Sequence, residues 1–213
     1  IVVHMYLKNG KAVTGFDGKE LLEDGDVMSI AQHYSNNGAD ELLIFDLSDD
    51  DADHEQSLNL IRQISRVIDI PMSGGGHIKN LEDVKKLLYA GCQQVFLNYA
   101  KAANIDLTEE VSKRFGKEKI AICTDSFAQL QANKARVNEY TSRVILLCDE
   151  VDVRTTARLV EVPVLPVSTR ADRHGLLKLL MLDNICGVCG DTFSDLNEDL
   201  MAAKLEAKKH GVE

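Results

Sequence analysis

The sequence predicts an α/β chain folded as one (β/α)8 (TIM) barrel, compact and shortened in its second half, on three observations. Short β-branched or apolar runs alternate with helical patterns, and eight such strand–helix units can be counted. The 213 residues leave room for eight units only if their connections are short. The composition agrees, since 45% apolar and 27% charged residues suit a single globular domain, residues 1–213. A chain of this size buries roughly 70% of its extended surface. Three prolines in the whole chain and no low-complexity stretch leave no place for a linker.

The first strand is expected over residues 1–7, an apolar run that opens on three β-branched side chains. Gly38 follows the first helix where a left-handed residue would end it, and the second strand is expected over 42–46. The second helix, 57–67, sets Leu58, Ile61, Ile64 and Ser65 on one side. After a third strand over 70–73, the third helix repeats that spacing with Leu81, Val84, Leu87 and Leu88, and Gly91 closes it. Strands are then expected over 94–98, 119–124, 143–147, 162–167 and 185–189. The repeat is regular through residue 124 and looser beyond it.

The net charge of −10 and the pI near 5.1 exclude a general attraction to nucleic acid or to anionic lipid. No window reaches the ~18 uninterrupted apolar residues of a membrane span, so a soluble, cytoplasmic chain is expected. Five cysteines, an odd number scattered mostly through apolar runs, suit reduced core thiols.

Barrels of this class place their chemistry at the carboxyl ends of the strands, so those positions hold the candidate residues. Ser73, Gly74, Gly75 and Gly76 follow the third strand, and side-chain-free backbone there lets amides approach an anion. A phosphate nest and a tight strand-to-helix turn both account for the run, and Asn98 at the end of the next strand adds a side-chain amide beside it. Asp125 ends the fifth strand, where it would serve either as a general acid or base or as the cap of a helix beginning near Phe127. The acidic stretch 49–55 has neither EF-hand spacing nor a turn glycine, so it is expected to be a solvated helix start. Cys186 and Cys189 lack a second pair for zinc, and residues three apart on a strand face opposite ways. The six histidines form no pair at ligand spacing and are expected to be solitary, so neither a metal nor a cofactor is expected.

The residues also resemble a known family. Leu7 to Gly15 after the first strand, Gly25 and Asp26 before the first helix, Gly38 to Asp46, and Ile70 to Ile78 are similar to the cyclase subunit of imidazole glycerol phosphate synthase, a barrel of histidine biosynthesis. The likeness covers about the first 125 residues and returns at 187–192 and 208–212. It implies a cyclase that uses two aspartates, at the ends of strands one and five, and grips a doubly phosphorylated ligand on strands three and four and on strands seven and eight. On that pattern Asp125 matches the second aspartate, but Tyr6 stands at the first, and Thr14 replaces a substrate-loop lysine. Gly74, Gly75, Gly76 and Asn98 keep the first phosphate half-site, followed by Tyr99 where a small hydroxyl residue is expected. In the second half-site Val167, Ser168 and Thr169 stand where a Ser-Gly-Gly turn is expected, Arg170 follows, and Asp191 replaces a serine. An Asp191 carboxylate would repel phosphate unless Arg170 compensates. At the amino-terminal face, where a charged ring would conduct ammonia from a glutaminase, Glu41 is retained while Gln94 and Ser142 fall on the other positions.

The resemblance therefore implies a degenerate member without autonomous cyclase activity, similar to the amino-terminal barrel of fused phosphoribosyl-AMP cyclohydrolase/phosphoribosyl-ATP pyrophosphatase proteins. Its expected partners are a weakly held phosphorylated small molecule and neighbouring histidine-pathway domains or a second copy in a homo-oligomer. The alternative is an active lyase or isomerase on a small phosphorylated sugar using Asp125.

Overall fold

The computed structural model describes residues 1–212. Eight parallel strands close into a barrel: β1 (Val2–Lys8), β3 (Glu41–Asp46), β4 (Met72–Gly75), β5 (Gln94–Asn98), β6 (Ile120–Thr124), β7 (Arg143–Leu147), β8 (Val164–Ser168) and β9 (Cys189–Gly190). Closure runs through β9 back to β1, so the expected barrel is the observed one. The helices between them include α1 (Val27–Asn36), α2 (Asp51–Ile64), α3 (Leu81–Ala90) and α4 (Ala102–Phe115), with shorter α5 (Phe127–Ala132), α6 (Lys134–Tyr140), α7 (Val153–Ala157) and α8 (Arg173–Leu179) in the second half. After β9 come the one-turn α9 (Asp191–Ser194) and the terminal α10 (Leu200–Lys209).

Four elements depart from the sequence expectation. The third barrel strand is Met72–Gly75 rather than 70–73, so Ser73, Gly74 and Gly75 belong to the ladder with β3 and β5 and only Gly76 lies beyond it. A short strand β2 (Lys11–Val13) folds back antiparallel on β1. Asn9 and Gly10 make the two-residue turn with φ of 50° and 72°, the left-handed pair that an Asn-Gly hairpin requires. The second helix starts at Asp51 rather than Ser57, because Asp50 caps it by accepting from the Asp53 amide at 2.8 Å and acidic residues in its first turn meet the positive end of the helix. The acidic stretch is thus a helix start, but Asp53 and His54 within it are buried rather than solvated. The eighth strand shrinks from the expected 185–189 to Cys189–Gly190, with one further bridge from Ile185 to Val164. Its seam with β1 is a single pair, Val2 with Cys189.

Alternation along β1 explains how the two cores separate. Val3, Met5 and Leu7 face outward beneath the helices, while Val2 and Tyr6 face the barrel axis with Leu43, Phe45, Phe96 and Cys123. Four of the five cysteines are buried and all are free. Burial pushes the Cys92 and Cys123 thiols up to about 12, which keeps them protonated and inert.

The amino-terminal end of the barrel is closed by an ion pair. Arg143, opening β7, donates Nη1 to Glu41 Oε2 at 2.9 Å and Nη2 to Glu41 Oε1, and Ser73 Oγ donates to Glu41 Oε1 at 2.7 Å. The two charged side chains are 12% and 15% exposed. Gln94 Nε2 meanwhile donates to Ser142 Oγ at 2.8 Å, so the two other positions at this face carry a neutral amide and a hydroxyl bonded to each other. Removing one partner of such a pair leaves an uncompensated charge. Arg143→Ala is expected to cost about 2–4 kcal/mol, toward the lower side of the buried-pair range because the groups are not fully enclosed. That corresponds to a Tm lower by roughly 5–12 °C in calorimetry, and Glu41→Leu combined with Arg143→Leu should recover most of it.

Candidate functional site

The carboxyl ends of the strands form the rim where chemistry is expected, and its centre is filled with aromatic rings. Tyr6 from β1, Phe45 from β3 and Phe96 from β5 rise along the axis, and Phe16, from the loop after β2, lies over them. Centroid separations are 4.7 Å for Tyr6–Phe16, 5.1 Å for Phe16–Phe45 and 5.1 Å for Phe45–Phe96. The Tyr6 phenol is buried, and burial, with Asp191 next in influence, raises its pKa above the ordinary tyrosine value. It therefore stays neutral and cannot accept a proton as an aspartate there would.

Around this plug the first half of the rim keeps the predicted cradle residues together on adjacent strands β4 and β5. Each glycine also has a packing reason. A Cβ on Gly74 would stand 2.9 Å from Cys92 Sγ, one on Gly75 2.2 Å from the Phe96 ring, and one on Gly76 2.1 Å from the Asp46 carbonyl oxygen. Gly76 also has φ +105°, which L side chains rarely adopt. Asn98 is exposed, and its Oδ1 accepts from the Ala100 amide at 2.9 Å, closing the turn into α4. Tyr99 points away from the rim: it is buried in the helix layer, hydroxyl bonded to Thr108 at 2.6 Å.

Next to the cradle the histidines depart from the expectation of solitude. His54 Nδ1 meets Asp46 Oδ2 at 2.5 Å, and the His54 and His77 rings stack at 4.6 Å and 27°. His77 Nε2 pairs with Asp51 at 2.9 Å; hydrogen bonds from His77 and then Lys79 hold the Asp51 carboxyl at about 2. His4 pairs with Asp191. His54 meets Asp46 within one strand–helix unit and His77 meets Asp51 through neighbouring units, while His4 and Asp191, 187 residues apart, meet only because the last strand closes on the first.

Asp125 sits exposed after β6, without a hydrogen-bond partner for its carboxylate among the described residues. The cap of α5 is its neighbour Ser126, whose Oγ accepts from the Gln129 amide at 3.1 Å. The helix-cap role expected for Asp125 therefore belongs to Ser126.

The second half of the rim is satisfied from within. Asp149, following β7, accepts from Ser168 Oγ at 2.5 Å, from the Thr169 amide at 3.0 Å and from Thr169 Oγ1 at 2.5 Å. Arg170 is held by Glu150 at 2.5 Å and not by Asp191, whose Oδ1 instead accepts from His4 Nε2 at 2.9 Å. Burial opposes the charge on Asp149, but the hydrogen bonds from Ser168 and Thr169, with Arg170 beyond, hold its carboxyl below the usual range. A lowered folded-state pKa contributes stability above the unfolded value, about 4. That contribution is expected to vanish as pH falls through the folded value, so Asp149→Asn should flatten the loss of Tm below about pH 4. Identical acid limbs for the two proteins would remove Asp149 from that role.

Among the described residues, no helix is long and apolar enough to cross a membrane, and no three His, Cys, Asp or Glu side chains are grouped to hold a metal ion. Comparison with known proteins places these features in a lineage. The family model described as histidine biosynthesis protein matches residues 1–183. The chain is 33% identical over 126 residues to the imidazole glycerol phosphate synthase subunit HisF of Flavobacterium psychrophilum, 59% of this chain and 50% of that protein. It is 32% identical over 158 residues to the same subunit of Haemophilus influenzae, 73% of this chain and 58% of that protein. For the Wolinella succinogenes subunit the figures are 32% over 140 residues, 66% of this chain and 54% of that protein. The matches thus take in little more than half the length of the curated relatives. With a model match spanning residues 1–183 and a closed eight-stranded barrel beneath it, the chain belongs to the histidine biosynthesis protein family.

Proposed function

We propose that this chain is a histidine-pathway barrel related to the cyclase subunit that has lost autonomous ring-closing activity and keeps one weak anion cradle, at Gly74, Gly75, Gly76 and Asn98. Its role is then to stand beside neighbouring histidine-pathway domains, or a second copy of itself, rather than to turn over substrate alone. The observation that carries this reading is the Asp149 carboxylate, which takes the Ser168 and Thr169 donors that a ligand phosphate would need on strand seven. A phosphate arriving there would have to displace an internal anion bonded at three donor atoms and would be repelled by its charge. Asp125 keeps the place of a catalytic acid or base, but Tyr6 supplies no complementary group across the rim.

The cradle is tested by titrating inorganic phosphate into 15N-labelled protein. Saturable shifts are expected at the amides of residues 74–76 and 98, with dissociation in the millimolar range because Gly74 and Gly75 lie in a strand paired on both sides and few free donors remain. Gly75→Val is unsuitable as a control, since its side chain would meet the Phe96 ring. Asn98→Asp keeps an oxygen for the Ala100 amide and adds a like charge, so it should weaken phosphate about tenfold or more. Shifts clustered at Ser168, Arg170 and Asp191 instead would mean that the second half-site is the survivor.

A further inference from the structure

Where β9 meets β1 through one residue pair, the structure holds a cavity of about 260 Å3. It lies between β1, the segment after β2, α1 and α9. Glu23, Asp191 and Asp195 line it, and no lysine or arginine does. The rings of His4, Tyr6 and Tyr34 line it as well, with Val13, Leu22 and Leu196 as aliphatic neighbours. The Asp191 side chain is 44% exposed although one oxygen engages His4. Tyr34 satisfies its hydroxyl by donating to the Ser194 carbonyl at 2.6 Å. Tyr6 does not: the residue is 1% exposed and its hydroxyl is buried without a partner among the described residues. A buried hydroxyl left unbonded is unfavourable, and one in the wall of a cavity has a ligand as its natural partner.

We propose that this cavity binds a small organic cation, an ammonium- or imidazolium-bearing molecule of about amino-acid size. The volume is below the range typical for drug-sized ligands, which limits the occupant to a small molecule. Carboxylates beside aromatic faces suit an organic cation, which gains from both charge and ring quadrupole. The side chains are not grouped as metal ligands, which separates this occupant from a metal ion. The inference is independent of the anion cradle, whose reporters are residues 74–76 and 98.

The test is titration of 15N-labelled protein at pH 7 with ethylammonium chloride and with 1,3-dimethylimidazolium chloride, at ionic strength matched with sodium chloride. Saturable shifts are expected at the amides of His4, Glu23, Asp191 and Asp195. Asp191→Asn should weaken binding about tenfold, and Glu23→Gln, at an exposed position, provides a second variant should the first fold poorly. Tyr6→Phe removes a hydroxyl that bonds to nothing in the fold, so it should leave Tm unchanged or raised while weakening ethylammonium severalfold. The proposal is overturned if those amides show no saturable shift with either cation. It is equally overturned if magnesium chloride or sodium phosphate saturates them while the organic cations do not.

Discussion

Gly76→Ala is expected to be among the most damaging single substitutions in this chain, costing on the order of 4 kcal/mol and lowering Tm by roughly 8–16 °C. Two effects combine. The new Cβ would lie 2.1 Å from the Asp46 carbonyl oxygen and 3.0 Å from its carbon, and a backbone carbonyl of a barrel strand cannot rotate aside as a side chain would. The residue must also hold φ +105°, outside the regions an L side chain occupies without strain. Asp46 is itself tied to Ser48 and His54, so a shift there would disturb a buried hydrogen-bonded cluster. Gly15→Ala is the control, because nothing lies within 4 Å of its Cβ position, and its Tm should stay within about 2 °C of the parent. If Gly76→Ala melts as the parent does, the close approach of β3 and the glycine turn is not as described.

This pair of glycines shows what the sequence made legible and what it withheld. The run Gly74 to Gly76 is visible as composition and reads as a turn after the strand, yet Gly74 and Gly75 are the last residues of β4 and only Gly76 lies in the turn. Whether it serves packing or a ligand depends on what stands opposite each residue. Phe96 and the Asp46 carbonyl reach it only through strand pairing. The alternation of Val2, His4 and Tyr6 on one face of the first strand is likewise readable from period two, yet their partners are not. Asp191 lies 187 residues from His4 and meets it only because the last strand closes on the first. The Asn9-Gly10 pair carries a local turn signal, but the strand that folds back after it has only three residues, too short for its alternation to mark it. The eighth strand is overestimated from the sequence for the opposite reason: residues 185–189 have strand-like side chains, but ladder pairing for most of them is absent.

With ammonia and the phosphoribulosyl substrate of the cyclase family, no turnover above background is expected from this chain. Loss of one general acid or base commonly costs ~10²–10⁴ in rate, and Tyr6 removes one of the pair that the family resemblance implies. The loss goes further than that residue. Phe16, Phe45 and Phe96 occupy the centre of the mouth with Tyr6, Asp149 holds the donors on strand seven, and Asp191 puts a carboxylate after strand eight. Substrate would therefore be bound poorly as well as processed slowly, so both kcat and kcat/KM fall. Tyr6→Asp alone should not restore activity, because it would set a carboxylate in an apolar wall near Asp191 while every other obstruction remains. The assay follows product formation with the parent, with Tyr6→Asp, and with Tyr6→Asp combined with Phe16→Gly and Asp149→Gly. Activity should stay at background in the first two. Steady-state turnover of the parent near 1 s⁻¹, within about tenfold of an ordinary enzyme, would show that the aromatic plug opens during catalysis and that the chain is a working cyclase.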